Sequence, residues 1–271
     1  MGSPTSPFHV EKTVSFTCAL DPRFSFCLYV PRDYHSNPPG RILVAVHGTD
    51  RNNQYLRDLF SEYAQQTNTV VLAPLFPVGV EDDDLDNYKY LNNDGIRYDR
   101  ILLAMVEQVA AAYKLNADRF ALFGFSGGAH LAHRFFYVHP ERLSAVIVAA
   151  PGSVTLPSLA YPWWVGLYDY EQLFGRPVPW AALHEVPVHL VVGGDDINTA
   201  GIVQGRDNRR WMEGVDSAGA NRLERIRSLH RDLARNHIHA TLEELDGVAH
   251  QLEPVVQAAI TFLRRPSTFV D

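Results

Sequence analysis

Residues 119–130 read Arg-Phe-Ala-Leu-Phe-Gly-Phe-Ser-Gly-Gly-Ala-His. An apolar run of strand length ends in Gly124-Phe125-Ser126-Gly127-Gly128, and a helix-like segment follows at once. Few backbones accept that pattern. A serine standing clear at the end of a strand sits in a tight turn, commonly at positive φ, where an L residue is strained. The neighbouring strand and the start of the helix then pass so close that Gly124, Gly127 and Gly128 are required for want of a Cβ. A helix starting at Gly127 also aims free N–H groups at the space above the Ser126 hydroxyl. The pattern predicts a serine presented as a nucleophile. A glycine-rich turn that merely contains serine would read the same, so the rest of the chain has to discriminate.

The surrounding chain alternates short apolar runs with amphipathic segments. Ile42–Val46, Val70–Ala73, Leu143–Ala149 and Val188–Val192 lack polar alternation, as strands buried on both faces should. Pro74 and Pro77 are expected to close the second of these, and the last strand is expected over Thr241–Leu245. Helical periods appear around Tyr55–Tyr63, over Ile96–Tyr113, from Gly127 to about Tyr137, over Asn221–Asn236 and over Pro254–Arg264. This rhythm predicts an α/β fold with a largely parallel sheet. A hairpin of Val14–Leu20 and Phe24–Val30 around Asp21-Pro22-Arg23 would form an antiparallel edge. Residues 1–9 read as a frayed tail, Asn37-Pro38-Pro39-Gly40 as a break, and Glu81–Asp86 as a solvated acidic loop. From 151 to 185 the rhythm fails. Prolines interrupt it, and Trp163, Trp164, Tyr168, Tyr170, Phe174 and Trp180 crowd it. The stretch has no core pattern of its own, so residues 1–271 read as one domain with a cap-like insertion at 151–185.

Composition bounds the function classes. A net charge of −7 with no basic stripe argues against nucleic acid as a partner. The start of the chain lacks a basic, then apolar, leader pattern, and no segment is long and apolar enough to span a bilayer. Two cysteines, Cys18 and Cys27, are read as half-buried thiols of a reducing compartment, hence a cytoplasmic location. A cross-strand disulfide between them is the alternative.

Four polar punctuations fall where apolar strands end: His47-Gly48-Thr49-Asp50, the serine turn, Gly193-Gly194-Asp195-Asp196, and His250 in the loop after the last strand. Side chains distant in sequence can converge at the C-terminal ends of parallel strands. A serine hydroxyl is too weak an acid to attack unaided and needs a base; an imidazole titrates near neutral pH and can serve. His250 is the candidate base. Asp195 and Asp196 compete to orient it. His47 reads as structural. His130 and His133 lie three apart on a helix without a third ligand, so no metal site is read there, and no cofactor is implied.

In this order of elements the chain resembles the α/β-hydrolase fold, and the likeness covers nearly all of it. Within that superfamily it is similar to the dienelactone-hydrolase and polyhydroxybutyrate-depolymerase-like esterases. The resemblance implies a nucleophile at Ser126, an acid at Asp196 (the position matching strand–Gly-x-x-Asp) and a base at His250. It implies oxyanion donors at the Gly127 and Thr49 N–H groups. It places a cap after the strand that follows the nucleophile helix, so Trp163 and Trp164 become candidates to line a substrate pocket, with packing as the cap's own small core as the alternative. Asp50 is expected to point away from the developing anion or to hold the loop. Arg206, Arg209 and Arg210 read as a solvated basic loop. The implied activity is hydrolysis of a carboxylic ester of a small organic molecule through an acyl-enzyme. Cyclisation, condensation or carbon–carbon cleavage on the same triad is the alternative. A homodimer is compatible with the fold, and no residue pattern decides it.

Overall fold

The computed structural model describes residues 9–34, 40–80 and 84–265. Expectations for residues 1–8, 37–39 and 81–83 lie outside the described residues. The strands are β1 (Glu11–Lys12), β2 (Phe16–Thr17), β3 (Ser25–Val30), β4 (Arg41–Val46), β5 (Thr69–Leu75), β6 (Asn92–Asn93), β7 (Ile96–Arg97), β8 (Phe120–Phe125), β9 (Leu143–Ala149), β10 (Val188–Gly193) and β11 (Ala240–Leu245). The helices are α1 (Asn53–Leu59), α2 (Ser61–Thr67), α3 (Tyr98–Tyr113), α4 (Gly127–Val138), α5 (Tyr170–Phe174), α6 (Trp180–Glu185), α7 (Arg222–Arg235) and α8 (Leu252–Leu263).

One sheet runs β1-β3-β5-β4-β8-β9-β10-β11, with β2 beside β3. From β5 to β11 every pairing is parallel, and β3 runs antiparallel to β5. The central strands β4, β8, β9 and β10 are almost entirely buried, because helices cover both faces and leave no solvated face to accept a polar residue. Helix α3 buries Ile101, Leu102, Met105, Val106 and Val109, one stripe of a 3.6-residue period.

Three expectations are adjusted. The edge hairpin is broken: residues 13–15 leave the ladder between β1 and β2, and Val14 is half exposed. The helical period around Tyr55–Tyr63 is two short helices that meet at Phe60. Pro74 lies inside β5 rather than closing it, opposite Phe26 and beyond the last β4 pairing at Leu72. A proline removes a ladder hydrogen bond only where its N–H would have had an acceptor. Cys18 and Cys27 are buried free thiols, and burial pushes the Cys27 thiol up to about 11. Among the described residues no helix is long and apolar enough to cross a membrane. The segment 151–185 carries only α5 and α6, joined by irregular chain.

Candidate active site

Ser126 sits between β8 and α4 at φ 52, ψ −113, a conformation that favours glycine. Its neighbours explain why the turn must be glycine-rich. A Cβ on Gly124 would stand 2.1 Å from the Gly128 carbonyl oxygen, and one on Gly128 would stand 2.2 Å from that of Val46. A Cβ on Gly127 would meet the Tyr88 hydroxyl at 2.5 Å and Lys89 Cε at 2.7 Å. The turn is thus pressed between β4, the start of α4 and the short 3-10 turn Asn87–Tyr90.

The loops after β10 and β11 are locked together. Gly194 donates to the Leu245 carbonyl and Asp195 to that of Val248, both at 2.8 Å. A Cβ on Gly193 would lie 2.2 Å from the Val248 carbonyl oxygen, so the two loops close on a glycine. This brings His250 over the elbow. Its ring stacks on Phe125 at 4.8 Å between centroids. Its Nε2 is 3.1 Å from Ser126 Oγ and its Nδ1 is 2.7 Å from Asp196 Oδ2. With Nδ1–H donating to the carboxylate, Nε2 is left to accept the serine proton. Asp196 is buried, whereas Asp195 is exposed and contributes its backbone N–H to the His250 loop. The second oxygen of Asp196 accepts from Arg222 Nη1 at 3.2 Å. Arg222 gave no signal in the sequence: it lies 26 residues after Asp196, at the start of an ordinary amphipathic helix.

Thr49 and Gly127 are neighbours, with Thr49 Oγ1 3.0 Å from the place a Gly127 Cβ would take. Among the described residues neither backbone N–H is given an acceptor. Arg51 fixes this loop by donating to the carbonyls of Thr49, Phe76 and Leu85. His47 braces it from inside. Its Nδ1–H donates to the Gly48 carbonyl, its Nε2 accepts from the Phe76 N–H, and burial holds it neutral, down to about 4.

A cavity of about 420 Å³ opens over Ser126 and His250. Its walls include Thr49, Asp50, Tyr55, Phe125, Leu252 and Glu253. Asp50 is one of these walls, and its Oδ1 folds back towards Gly48 within its own loop. The Tyr55 hydroxyl donates to Glu253 at 2.6 Å across the rim.

The tryptophans are a correction. Trp163 and Trp164 do not line this cavity. Trp164 is buried in a separate cluster with Tyr90, Val165 and Val215, and Trp163 donates its indole N–H to the Tyr90 carbonyl. Large flat side chains with one polar atom are satisfied by such packing without any ligand. The basic loop is also engaged. Arg209 and Arg210 pair with Asp84, and Arg210 lies 4.4 Å over the Tyr90 ring.

On the inner side of the elbow, His130 Nε2 accepts from the Ser153 N–H and His133 Nε2 from the Thr155 N–H, both at 2.9 Å. The fully buried Arg134 donates to the Lys89 carbonyl and the Thr155 hydroxyl. Burial, with Lys89 and Arg134 nearby, holds His130 well below the usual imidazole range. Burial and Arg134 hold His133 at about 3.

Parallel strands ending in these loops, with the serine turn after β8, define the α/β-hydrolase fold, and solved structures agree. Poly(aspartic acid) hydrolase-1 from Sphingomonas sp. KT-1 superposes with a TM-score of 0.75 at 22% identity, over 93% of this chain and 97% of that one. LpqC, a poly(3-hydroxybutyrate) depolymerase from Bordetella parapertussis, gives 0.74 at 21% identity, over 97% and 93%. An S-formylglutathione hydrolase from Agrobacterium tumefaciens gives 0.60 at 18% identity, over 89% and 88%. No family model matches the chain, and no curated protein sequence does. At these identities the likeness establishes the fold, and the chemistry has to be argued from the site.

Proposed function

We propose that this protein is a serine hydrolase that cleaves a carboxylic ester of a small organic substrate through an acyl-enzyme. One observation carries the reading: Ser126, His250 and Asp196 form an unbroken chain of contacts at 3.1 and 2.7 Å beneath an open cavity. In this reading Ser126 Oγ attacks the carbonyl carbon while His250 Nε2 takes its proton. Asp196 holds the imidazole in the required tautomer and stabilises its cation. The oxyanion is received by the Gly127 and Thr49 N–H groups, each worth about 3–4 kcal/mol in the transition state. The imidazolium then protonates the leaving alcohol. Water repeats the sequence on the acyl-enzyme, releasing the acid and free serine.

The names of the neighbouring structures span polymeric and small substrates. The test is therefore a panel of p-nitrophenyl esters of increasing chain length together with short hydroxyalkanoate and aspartate oligomers. Ser126→Ala is expected to lower kcat by roughly 10⁴–10⁶ on any true ester. Turnover within tenfold of the wild type would refute the assignment. A serine-directed fluorophosphonate should label the wild type and not the variant. Labelling without any ester turnover would favour the non-hydrolytic chemistry named above.

A further inference from the structure

We infer that Arg222 is a positioning residue for the triad, acting through Asp196; the inference rests on the hydrolase reading above. Asp196 is 1% exposed, and His250 engages only its Oδ2. A buried carboxylate with its second oxygen unengaged is a poor anion, because desolvation favours the neutral acid. Arg222 Nη1 supplies the missing donor to Oδ1, and among the described residues it is the cation other than His250 paired with Asp196.

Its placement is fixed. Arg222 is the first residue of α7, and the first turn of that helix is tied down on several sides. Asn221 caps it by accepting from the Glu224 N–H, and the Leu223 N–H reaches the Asp196 carbonyl. Three residues on, the fully buried Arg225 donates to the Gly152 and Gly219 carbonyls and pairs with Asp216. Surface ion pairs are usually weak because two long side chains must be held still. Here the backbone delivers the guanidinium, and its side chain is 17% exposed.

Two effects follow. Arg222 holds Asp196 aimed at Nδ1 of His250. Its positive charge, behind the carboxylate, also acts on the charge that His250 gains when it takes the serine proton. The groups facing His250 are Ser126, the Phe125 ring and Asp196, with Asp50, Glu253 and Tyr55 across the shared cavity. Of these, the three carboxylates are opposite in sign to Arg222.

The test is kcat and kcat/KM against pH on a neutral nitrophenyl ester, with folding checked by circular dichroism. For Arg222→Gln, which removes the charge, the acid limb of kcat/KM should move up by about half a pH unit or more, and plateau kcat should fall about tenfold. Arg222→Lys keeps the charge but not the reach: its limb should stay in place while kcat falls about threefold. Arg227→Gln, exposed on the same helix and paired with Glu244, should change neither. A Gln variant with an unmoved limb overturns the inference, whatever its kcat. Should the Gln variant fail to fold, a Lys variant identical to the wild type overturns it, and the threefold loss with an unmoved limb supports it. If Ser126→Ala is inactive while Arg222→Gln behaves as wild type, only this inference falls. If Ser126→Ala retains turnover, the reading of the site falls with it.

Discussion

His250 and the pair His130 and His133 lie on opposite sides of the same elbow, and their surroundings differ in sign. The His250 side chain is 30% exposed in a cleft, backed by a buried carboxylate. The other two are buried in α4 beside Lys89 and Arg134, and accept hydrogen bonds from backbone amides of the loop after β9. An imidazole with an anion behind it can take up a proton and hold it. An imidazole among cations and out of water stays neutral and serves as an acceptor. The residue type is the same on both sides, so the local field, rather than histidine itself, separates the proposed base from the brace.

The largest expected effect breaks the active side of that comparison. Asp196→Asn preserves shape but presents an amide, so His250 loses its acceptor at Nδ1 and adopts the wrong tautomer. We expect kcat on nitrophenyl esters to fall by about 10⁴ with little change in the urea midpoint. An equal loss in Asp195→Asn would show that the wrong carboxylate had been chosen.

On the bracing side the effect moves from rate to stability. Trp164→Ala removes an indole packed against Tyr90 and Arg134. It should cost about 3–5 kcal/mol by urea unfolding while folded protein keeps its kcat/KM within about threefold. A selective loss of activity on long-chain esters would instead return Trp164 to the substrate pocket.

Acidification should expose the brace more gently. Folded His133 is held at about 3, below the 6.5 of an unperturbed imidazole. Between those values the unfolded chain binds more protons, so stability is complete above about pH 6.5 and declines as pH falls towards 3. His47 and His189, each held at about 4, add to the same slope. Urea midpoints at about pH 7.5 and 5 should differ in the wild type and differ less in His133→Gln. Equal slopes in the two proteins would mean that His133 does not carry its share.

The site end of the molecule was legible because its constraints are local. Gly124, Gly127 and Gly128 announce close approach, and an apolar run ending in Gly-Gly-Asp-Asp announces a strand end. The residues left Asp195 and Asp196 in competition; the resemblance preferred Asp196, at the position matching strand–Gly-x-x-Asp, and the contact with His250 falls on that carboxylate. What the sequence hid depends on partners far along the chain. Trp163 and Trp164 read as a pocket because aromatic crowding looks alike whether the partner is a ligand or Tyr90 and Val215. Arg222 was invisible because a charged residue at a helix start is ordinary until its neighbour is known. The broken edge at residues 13–15 shows the same limit: alternation predicts a strand, but pairing length is set by the partner β3.

The backbone at Ser126 has one more consequence. At φ 52, ψ −113 a serine is held where glycine would rest without strain, a difference of about 1–3 kcal/mol that outweighs the extra chain entropy glycine loses on folding. Ser126→Gly should therefore be inactive yet melt about 2–4 °C higher for each kcal/mol recovered. In evolutionary terms, loss of function at this codon is thermodynamically downhill. On the hydrolase reading, the strain held at this serine is stability given up to present its hydroxyl.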